Sequence, residues 1–525
     1  MPILDTRVPA VLLRIDRNPF HHGTLGAVRS LGRAGVEVHL VADSEGSPVR
    51  RSRFVCAMHP PPPPGSSTAD IAAVLRRVAA RVSRPAVLVP MDDASALAVS
   101  RLGEELTAGY LLPKQPGALA ERVADKAELA AVCQSVGVPH PVTLIPDSPA
   151  QAAAAARRLG LPLVAKWSRP WLVPAGTGLR STVVVRSAQE ARALYSRTEE
   201  AGSRLLLQSF LPPGPDRDWF FHGYVDRYGV THGGGPGRKH RAWPRGAGLT
   251  VVGRWTPNPH LQAIVERLTE VLGYRGIFDL DFRRDAAAGR YHLLDFNPRP
   301  GAQFRLFEDG AGLDVVRALH LDLTHRPLPA PVPLPGRAFV VENYAPLGAL
   351  RPRSAGRELA WHAVDDRAPG RALWGLWARH VSLRLTQRAG RLVRGPVAAD
   401  PDGTADTNGA AKAYGTVVGP PRETSRTVVG PPREAAGTVV GPPRETSRTV
   451  VGPPREAAGT VVGPPRVTAA AVERAIRADP TVVRPRGGPV PRKDPRSAQV
   501  PTAVTALPSG SLAHAPADDE KASSC

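Results

Sequence analysis

At 525 residues and 42% hydrophobic content, the chain exceeds one ordinary domain and can build a sizeable core over part of its length. Its 3 cysteines, Cys56, Cys133 and Cys525, stand at no metal-like spacing, which argues against a disulfide scaffold and fits a reducing compartment. The net charge of +21 comes mostly from scattered arginine, with no clustered run and no aromatic-laced RNA motif, so no specific nucleic-acid partner is expected. No stretch approaches the ~18 apolar residues that span a bilayer. The start, MPILDTRVPAVLLRI, lacks a basic end, a long apolar run and a cleavage site, so a cytoplasmic protein is expected.

Val8–Ile15 reads as a buried strand. A helical pattern follows at Leu25, Val28, Leu31 and Ala34, closed by Gly35, and Val36–Val41 reads as a second strand. This is a βαβ unit of the doubly wound kind. The loop His21–Thr24 has no GxGxxG fingerprint, so no dinucleotide site is expected. Pro60–Gly65 reads as a surface loop, Asp70–Val82 as a helix and Ala86–Pro90 as a strand. Asp92 and Asp93 at its end could face a ligand crevice or cap a helix.

Lys126 opens a helix to about Val136, ended by Gly137. Ser148 and Pro149 start another, to Leu159. Leu161–Ala165 is an apolar strand that delivers Lys166, and a lysine there needs an anionic partner. Pro174–Leu179 fits a flexible phosphate-covering loop or a plain hairpin turn. Ser187–Glu190 is a capping box. Leu205–Pro212 reads as a buried strand and its exit. Gly237–Pro244 holds the main basic cluster of the folded part. There Lys239 and Arg241, two apart on a strand, could clamp a phosphate and a carboxylate, or form a solvated basic strand. Pro259–Leu272 reads as an amphipathic helix with Leu261, Ile264, Leu268, Val271 and Leu272 inward.

The densest chemistry lies in Gly276–Arg299. Two strand-like runs, Ile277–Phe282 and Tyr291–Phe296, flank a turn at Asp285–Gly289. Residues two apart share a strand face, so Asp279 and Asp281 point one way, as do Asp295, Asn297 and Arg299. Paired as a hairpin, they would gather carboxylates and an amide oxygen, hard ligands that suit Mg²⁺. The arginine beyond could hold a carboxylate or phosphate in bidentate fashion. The pattern alone fits a solvated acidic hairpin equally well. Phe304–Phe307 reads as a loop, with Arg305 a weaker substrate candidate, Gly312–Leu321 as a helix and Ala338–Tyr344 as a strand. Leu373–Leu385 fits a terminal helix packed on the domain, or a basic amphipathic helix on a membrane or partner. Beyond about Gly395, TVVGPPRETSR and TVVGPPREAAG alternate from Thr416 to Arg466 with an 11-residue period. The Gly-Pro-Pro in each copy forbids a regular helix, and a disordered, extended array is expected.

The run Asp295-Phe296-Asn297-Pro298-Arg299-Pro300 resembles the metal-binding end of the ATP-grasp ligases, with Asp281 at their earlier carboxylate position. Both positions usually hold Glu in that family. Further signals fall in the family's order: Asp125–Lys126 ahead of a helix and Gly-Val-Pro-His-Pro, then Lys166 after its apolar strand, then Gln208–Leu211 at the place of the hinge between lobes. Arg238-Lys239-His240-Arg241 with Pro244 resembles a motif of the D-aspartate-ligase-like, carboxylate–amine ligase branch. The resemblance covers Pro9–Leu328. It implies an α/β protein, α+β in the ATP-grasp lobes. Residues 1–113 would be an N-terminal doubly wound domain, 114–330 a two-lobed ATP-grasp domain, 331–395 a C-terminal extension and 396–525 a disordered tail. It implies ATP and Mg²⁺ (or Mn²⁺) as cofactors. Lys126, Lys166 and Lys239 would meet the nucleotide's phosphates. The backbone of Ser209 and Leu211 would bond the adenine, beside Gln208 and Phe210, and Asp218 or Asp216 the ribose. Asp281, Asp295 and Asn297 would hold the metal, and Arg299 with Arg241 would stabilise the transferring phosphoryl group. The implied reaction activates a small-molecule carboxylate as an acylphosphate and joins it to an amine, releasing ADP and phosphate. A non-catalytic ATP-binding module and an RNA- or membrane-associated protein are the other readings.

Overall fold

Three sheets organise the chain in a computed structural model that describes residues 2–43, 46–174, 177–243, 248–345 and 356–393. The chain divides into two units, Met1–Thr424 and Ser425–Cys525, and every described residue lies in the first. The repeats at 416–466 and the tail expected to be disordered lie outside the described residues.

The first sheet is all parallel, in the order β3-β2-β1-β4-β5. Its strands are β1 (Ala10–Leu13), β2 (Val38–Val41), β3 (Ala57–His59), β4 (Ala86–Pro90) and β5 (Tyr110–Leu111). They are short unbroken apolar runs because both faces are covered. Ala10 and Leu12 pack toward α1 (His22–Arg33), while Val11 and Leu13 pack toward α2 (Thr68–Val82) and α3 (Asp93–Leu106). The order reverses between β1 and β4, the point where a doubly wound sheet opens a crevice at its strand ends. Asp92 sits there as the cap of α3. Its Oδ1 accepts from Ser95 N at 2.8 Å and its Oδ2 from Ile15 N at 2.6 Å, so the capping reading holds for this residue.

Two helices, α4 (Leu119–Ala124) and α5 (Lys126–Val136), lead to a four-stranded antiparallel lobe. Its strands β6 (Thr143–Leu144), β7 (Leu163–Trp167), β8 (Thr182–Val185) and β9 (Leu205–Ser209) lie in the order β6-β9-β7-β8. Against it lie α6 (Pro149–Leu159), α7 (Ala188–Tyr195) and the short α8 (Thr198–Ala201). A seven-stranded sheet follows, in the order β14-β13-β10-β11-β12-β15-β16. Its strands are β10 (Asp218–Val225), β11 (Thr231–Trp243), β12 (Leu249–Trp255), β13 (Gly276–Arg284), β14 (Tyr291–Asn297), β15 (Ala338–Val340) and β16 (Arg357–Leu359). The helices α5 and α9 (Pro259–Val271) share a core with one face. On the other, α10 (Val315–Leu323) and the 3-10 turn Phe304–Phe307 pack in one core with α1, so the N-terminal domain and the large lobe are fused through apolar side chains. The expected class, a doubly wound α/β domain followed by two lobes, is the architecture present.

Three local expectations change. Of β10 to β12, only the stretch of β11 with Lys239 and Arg241 reads as strand in the sequence; the rest, Gly233–Gly237 included, was not legible. Those glycines serve close packing: a Cβ on Gly237 would enter the Phe220 ring, and one on Gly234 would enter the His222 carbonyl. In α9 the buried stripe is Leu261, Val265 and Leu268, with Thr269, which leaves Val271 well round the helix and 59% exposed. The segment after residue 330 is no appendage. Val340 pairs with Val252 and Arg357 with Ala338, so β15 and β16 complete the large sheet. Beyond them α11 (Ala368–Val393) starts with Leu373 buried, which favours packing on the domain for this end of the helix. Among the described residues no helix is long and apolar enough to cross a membrane.

The same C-terminal segment is tied to α1 by charge. Arg29 Nε donates to Asp366 Oδ2 at 2.9 Å, and its Nη2 donates to the carbonyls of Trp361 and Asp366, both at 2.8 Å. The two side chains are 4% and 2% exposed. Removing one partner of a buried pair strands the other charge, so Asp366→Ala is expected to lower unfolding stability by about 3–5 kcal/mol. Urea unfolding followed by tryptophan fluorescence measures this; an unchanged midpoint would contradict the buried tie.

Candidate functional site

Strand alternation builds a cleft between the four-stranded and seven-stranded sheets. On β7, Leu163, Ala165 and Trp167 enter the small lobe's core, so Val164 and Lys166 take the other face. On β9, Leu205 and Leu207 are in that core, and Gln208 pairs with Val164 on the cleft side. On β13, Phe278, Leu280 and Phe282 enter the large lobe's core, which turns Asp279, Asp281 and Arg283 to the opposite face. The expected hairpin is present, and its register sets Asp281 directly opposite Asp295 and Asp279 opposite Asn297. Lys166, Gln208, Ser209, Phe210, Leu211, Asp218, Lys239, Asp281 and Asp295 all line one cleft.

Three ammonium groups from three separate elements converge on the two facing carboxylates. Lys126, at the start of α5, places Nζ 2.7 Å from Asp295 Oδ1. Lys166 Nζ lies 3.4 Å from the same oxygen and donates to the Leu294 carbonyl at 3.0 Å. Lys239 Nζ is 2.6 Å from Asp281 Oδ1. A register irregularity makes the Leu294 contact possible: Phe282 pairs with Leu293 and Asp281 with Asp295, leaving Leu294 unpaired between them.

These groups do not titrate alike. Burial pushes the Asp281 carboxyl up, and the nearby Asp279 and Asp295 charges add to that against the pull of Lys239. Burial also opposes charge on Asp295, but Lys126 and Lys166 outweigh it and hold that carboxyl well below the usual range. Burial, with Lys126 close by, pulls Lys166 down; Asp295 keeps Lys126 up in spite of burial. The cleft therefore holds a carboxylate cluster short of counter-charge on one side and crowded lysines on the other.

Behind Asp281 stands Asp279. Its Oδ2 accepts from Arg299 Nη1 at 3.1 Å and from Asn297 Nδ2 at 3.4 Å, and its Oδ1 lies 3.1 Å from His222 Nε2. Arg299 Nε also donates to Asp93 Oδ1 at 2.9 Å, so the crevice of the N-terminal sheet meets the acid face here. A Cβ on Gly301 would lie 2.8 Å from Asp279 Cγ, which leaves no room there for any other residue. Asp218 is paired with Arg283 at 2.6 Å, and Arg283 Nη1 donates to the Leu211 carbonyl at 3.0 Å. Asp216 pairs with Arg238 at 2.8 Å.

Arg241 is placed differently from the expectation. The β11–β12 register shifts between Lys239 and Arg241 and again before Ala242, which breaks the two-residue alternation. Lys239 and Ala242 line the cleft, while Arg241 is exposed, lines no part of it and makes no ion pair among the described residues. Asn297 and Arg299 stand behind the cleft lining, engaged with Asp279. Part of the loop Pro174–Leu179, at 175–176, lies outside the described residues. Two groups escaped the sequence reading. His222 sits on a strand that was not legible. Asp93 was noted at its strand end, but nothing in the sequence pointed it at Arg299.

Neither a family model nor a curated protein sequence matches the chain. Similar solved structures include the biotin carboxylase domain of the Hydrogenobacter thermophilus 2-oxoglutarate carboxylase, in complex with ADP, its magnesium salt and bicarbonate (TM-score 0.47, 18% identity, 63% of this chain and 73% of that one). Others are the N5-carboxyaminoimidazole ribonucleotide synthetase of Thermus thermophilus (TM-score 0.47, 19% identity, 63% and 82%) and the L-amino acid ligase of Bacillus licheniformis (TM-score 0.46, 16% identity, 60% and 74%). Likenesses at this level leave the case for function with the residues of the cleft.

Asp279 gives the site an acid signature. Burial raises its carboxyl, but His222, Arg299 and Lys239 outweigh burial and hold it at about 2 against an ordinary 3.8. A carboxyl lowered on folding stabilises the protein above its unfolded value and loses that contribution as pH falls through the folded one. The window here runs from 3.8 down to about 2. Across it, Asp279→Asn is expected to lose about 2 kcal/mol less stability than the parent protein, as read by denaturant unfolding at stepped acid pH. Parallel acid limbs would contradict the assignment.

Proposed function

We propose that the chain is an ATP- and Mg²⁺-dependent ligase of the ATP-grasp kind, joining a small carboxylate to an amine through an acylphosphate. One observation carries this reading: Asp281 and Asp295 face each other across β13 and β14 while Lys126, Lys166 and Lys239 reach them from three elements. A solvated acidic hairpin would not need a buried lysine from a second lobe.

The residues fit both groups. Asp279, Asp281 and Asp295 crowd one face; burial, with the nearby Asp279 and Asp295 charges, raises the Asp281 carboxyl, so a divalent cation between Asp281 and Asp295 would favour its ionised form. Asn297 would add its amide oxygen, since its Nδ2 already points to Asp279. When bound, Mg²⁺ supplies neutralisation of phosphate charge. For the nucleotide, Val164, Val184, Phe210, Leu211, Phe282 and Leu294 offer apolar walls beside Gln208. The Leu211 carbonyl is held by Arg283, so the Leu211 N–H and the Ser209 carbonyl are the groups offered to an adenine edge, with Asp218 near the ribose.

The lysines would leave the carboxylates for the triphosphate, each a mobile point charge on a flexible stem. The substrate carboxylate oxygen attacks the γ-phosphorus, and the bond to the β–γ bridging oxygen breaks with its electron pair going to ADP. The amine then attacks the acyl carbon, phosphate departs with the second electron pair, and the amine proton passes to solvent. The protein contributes position and charge to both steps. Arg299, held by Asp93 and Asp279, would present positive charge to the transferring phosphoryl group and sits where the N-terminal crevice could deliver a substrate. Arg241 takes no part in this account, because the bulge carries it out of the cleft lining.

ADP release by the full chain, with ATP, Mg²⁺ and pools of amino acids and small carboxylic acids, tests the proposal. Substrate-dependent release is expected, with a loss of roughly 100-fold or more in Asp281→Asn and in Asp295→Asn. Tight ATP binding without release on any pool would favour a nucleotide-binding module. No ATP binding at all would overturn the reading.

A further inference from the structure

Outside the cleft, at the β2–β3 edge of the N-terminal sheet, a group of side chains meets that the ligase reaction does not use. Glu37 stands just before β2 and His39 on it, two residues on, so the two share a side of the chain. Cys56 precedes β3, and its N–H donates to the Val38 carbonyl at 2.9 Å, which sets it beside that pair. His39 Nε2 lies 2.8 Å from Glu37 Oε1, and Cys56 Sγ lies 3.7 Å from the same oxygen. One sulfur, one imidazole nitrogen and one carboxylate oxygen thus lie within 4.8 Å of one another.

Outer partners already hold these groups. His39 Nδ1 is 3.0 Å from His59 Nε2 across the β2–β3 pair. In this structure the His39 Nε2–H donates to Glu37 Oε1, so a metal ion would take the place of that proton while the contact with His59 holds the ring. Arg84 holds the other oxygen of Glu37, which leaves Oε1 aimed at the thiol and the imidazole. A histidine oriented through its second nitrogen, beside a carboxylate fixed by its second oxygen, is how proteins position metal ligands.

We infer that Glu37, His39 and Cys56 form a Zn²⁺ site, with His59 and Arg84 as outer partners and the fourth position open to water. A tetrahedral zinc with bonds of about 2.3 Å to sulfur and about 2.1 Å to nitrogen and oxygen spaces its ligand atoms roughly 3.4–3.6 Å apart. The sulfur–oxygen spacing is already close to this, and the histidine–carboxylate spacing need open by well under 1 Å to match. Thiolate with imidazole selects zinc over Mg²⁺ or Ca²⁺, so this site and the all-oxygen set of the cleft would not compete for one ion. The site would staple the edge strand β3 to β2.

The test uses the full chain, stripped with a chelator and titrated with Co²⁺. A near-ultraviolet sulfur-to-cobalt band and visible bands of tetrahedral cobalt are expected to saturate at about one equivalent, to bleach with Zn²⁺ and to persist in Mg²⁺. The cleft holds no sulfur ligand, so the charge-transfer band reports on this site whether or not the ligase reading is right. Cys56→Ser should abolish the band. His59→Ala should keep it and weaken Co²⁺ binding at least tenfold. Circular dichroism checks that each variant is folded. If Cys56→Ser does not fold, the parent protein decides by its tetrahedral cobalt spectrum and by the zinc it retains. Absence of the charge-transfer band in the parent, or its survival in Cys56→Ser, overturns the site.

Discussion

Two carboxylates that face each other across a pair of buried strands cannot both stay ionised without cations, and the rest of the site answers that constraint. Asp281 and Asp295 are set opposite by the register of β13 and β14, a consequence of chain geometry. Lys239 comes from the neighbouring region of the same sheet, Lys126 from the start of a helix and Lys166 from another lobe. Each is a long side chain brought out of water, which is unfavourable unless an anion is near. The acids and the lysines thus require one another, and the cleft is where those requirements meet.

Much of this was legible because it follows from the two-residue period of strands. The hairpin at Gly276–Arg299, the shared face of Asp279 and Asp281, and the anionic partner for Lys166 all came from alternation and apolar context. The fold class followed from the βαβ start and the apolar runs. What alternation cannot show is where it breaks. The bulge that leaves the Leu294 carbonyl for Lys166, and the one that separates Arg241 from Lys239, each insert a residue that no local pattern announces. The glycine-rich part of β11 ahead of Lys239 was hidden for a related reason. Its glycines record contacts with Phe220 and His222, which no local pattern announces.

The candidate zinc group shows the other limit. Sequence spacing finds metal sites when the ligands sit on one turn or knuckle. Glu37 and His39 lie just before and on one strand and Cys56 ahead of the next, about 20 residues on. Only the parallel pairing of β2 with β3 makes them neighbours. The same holds for Asp93 and Arg299, which meet because a shared apolar core fixes the N-terminal domain against the large lobe.

Gly301 carries no chemistry, yet the chain there passes so close to Asp279 and His222 that a single methyl group would displace them. The signature of this site therefore runs from Asp279 to Gly301 and ends on a residue with no functional group. A comparison of chains that weighed only acids, amides and bases would accept proteins in which a bulkier residue had shifted the whole acid face. Absence of a side chain at 301 is as much part of the pattern as the arginine two positions before it.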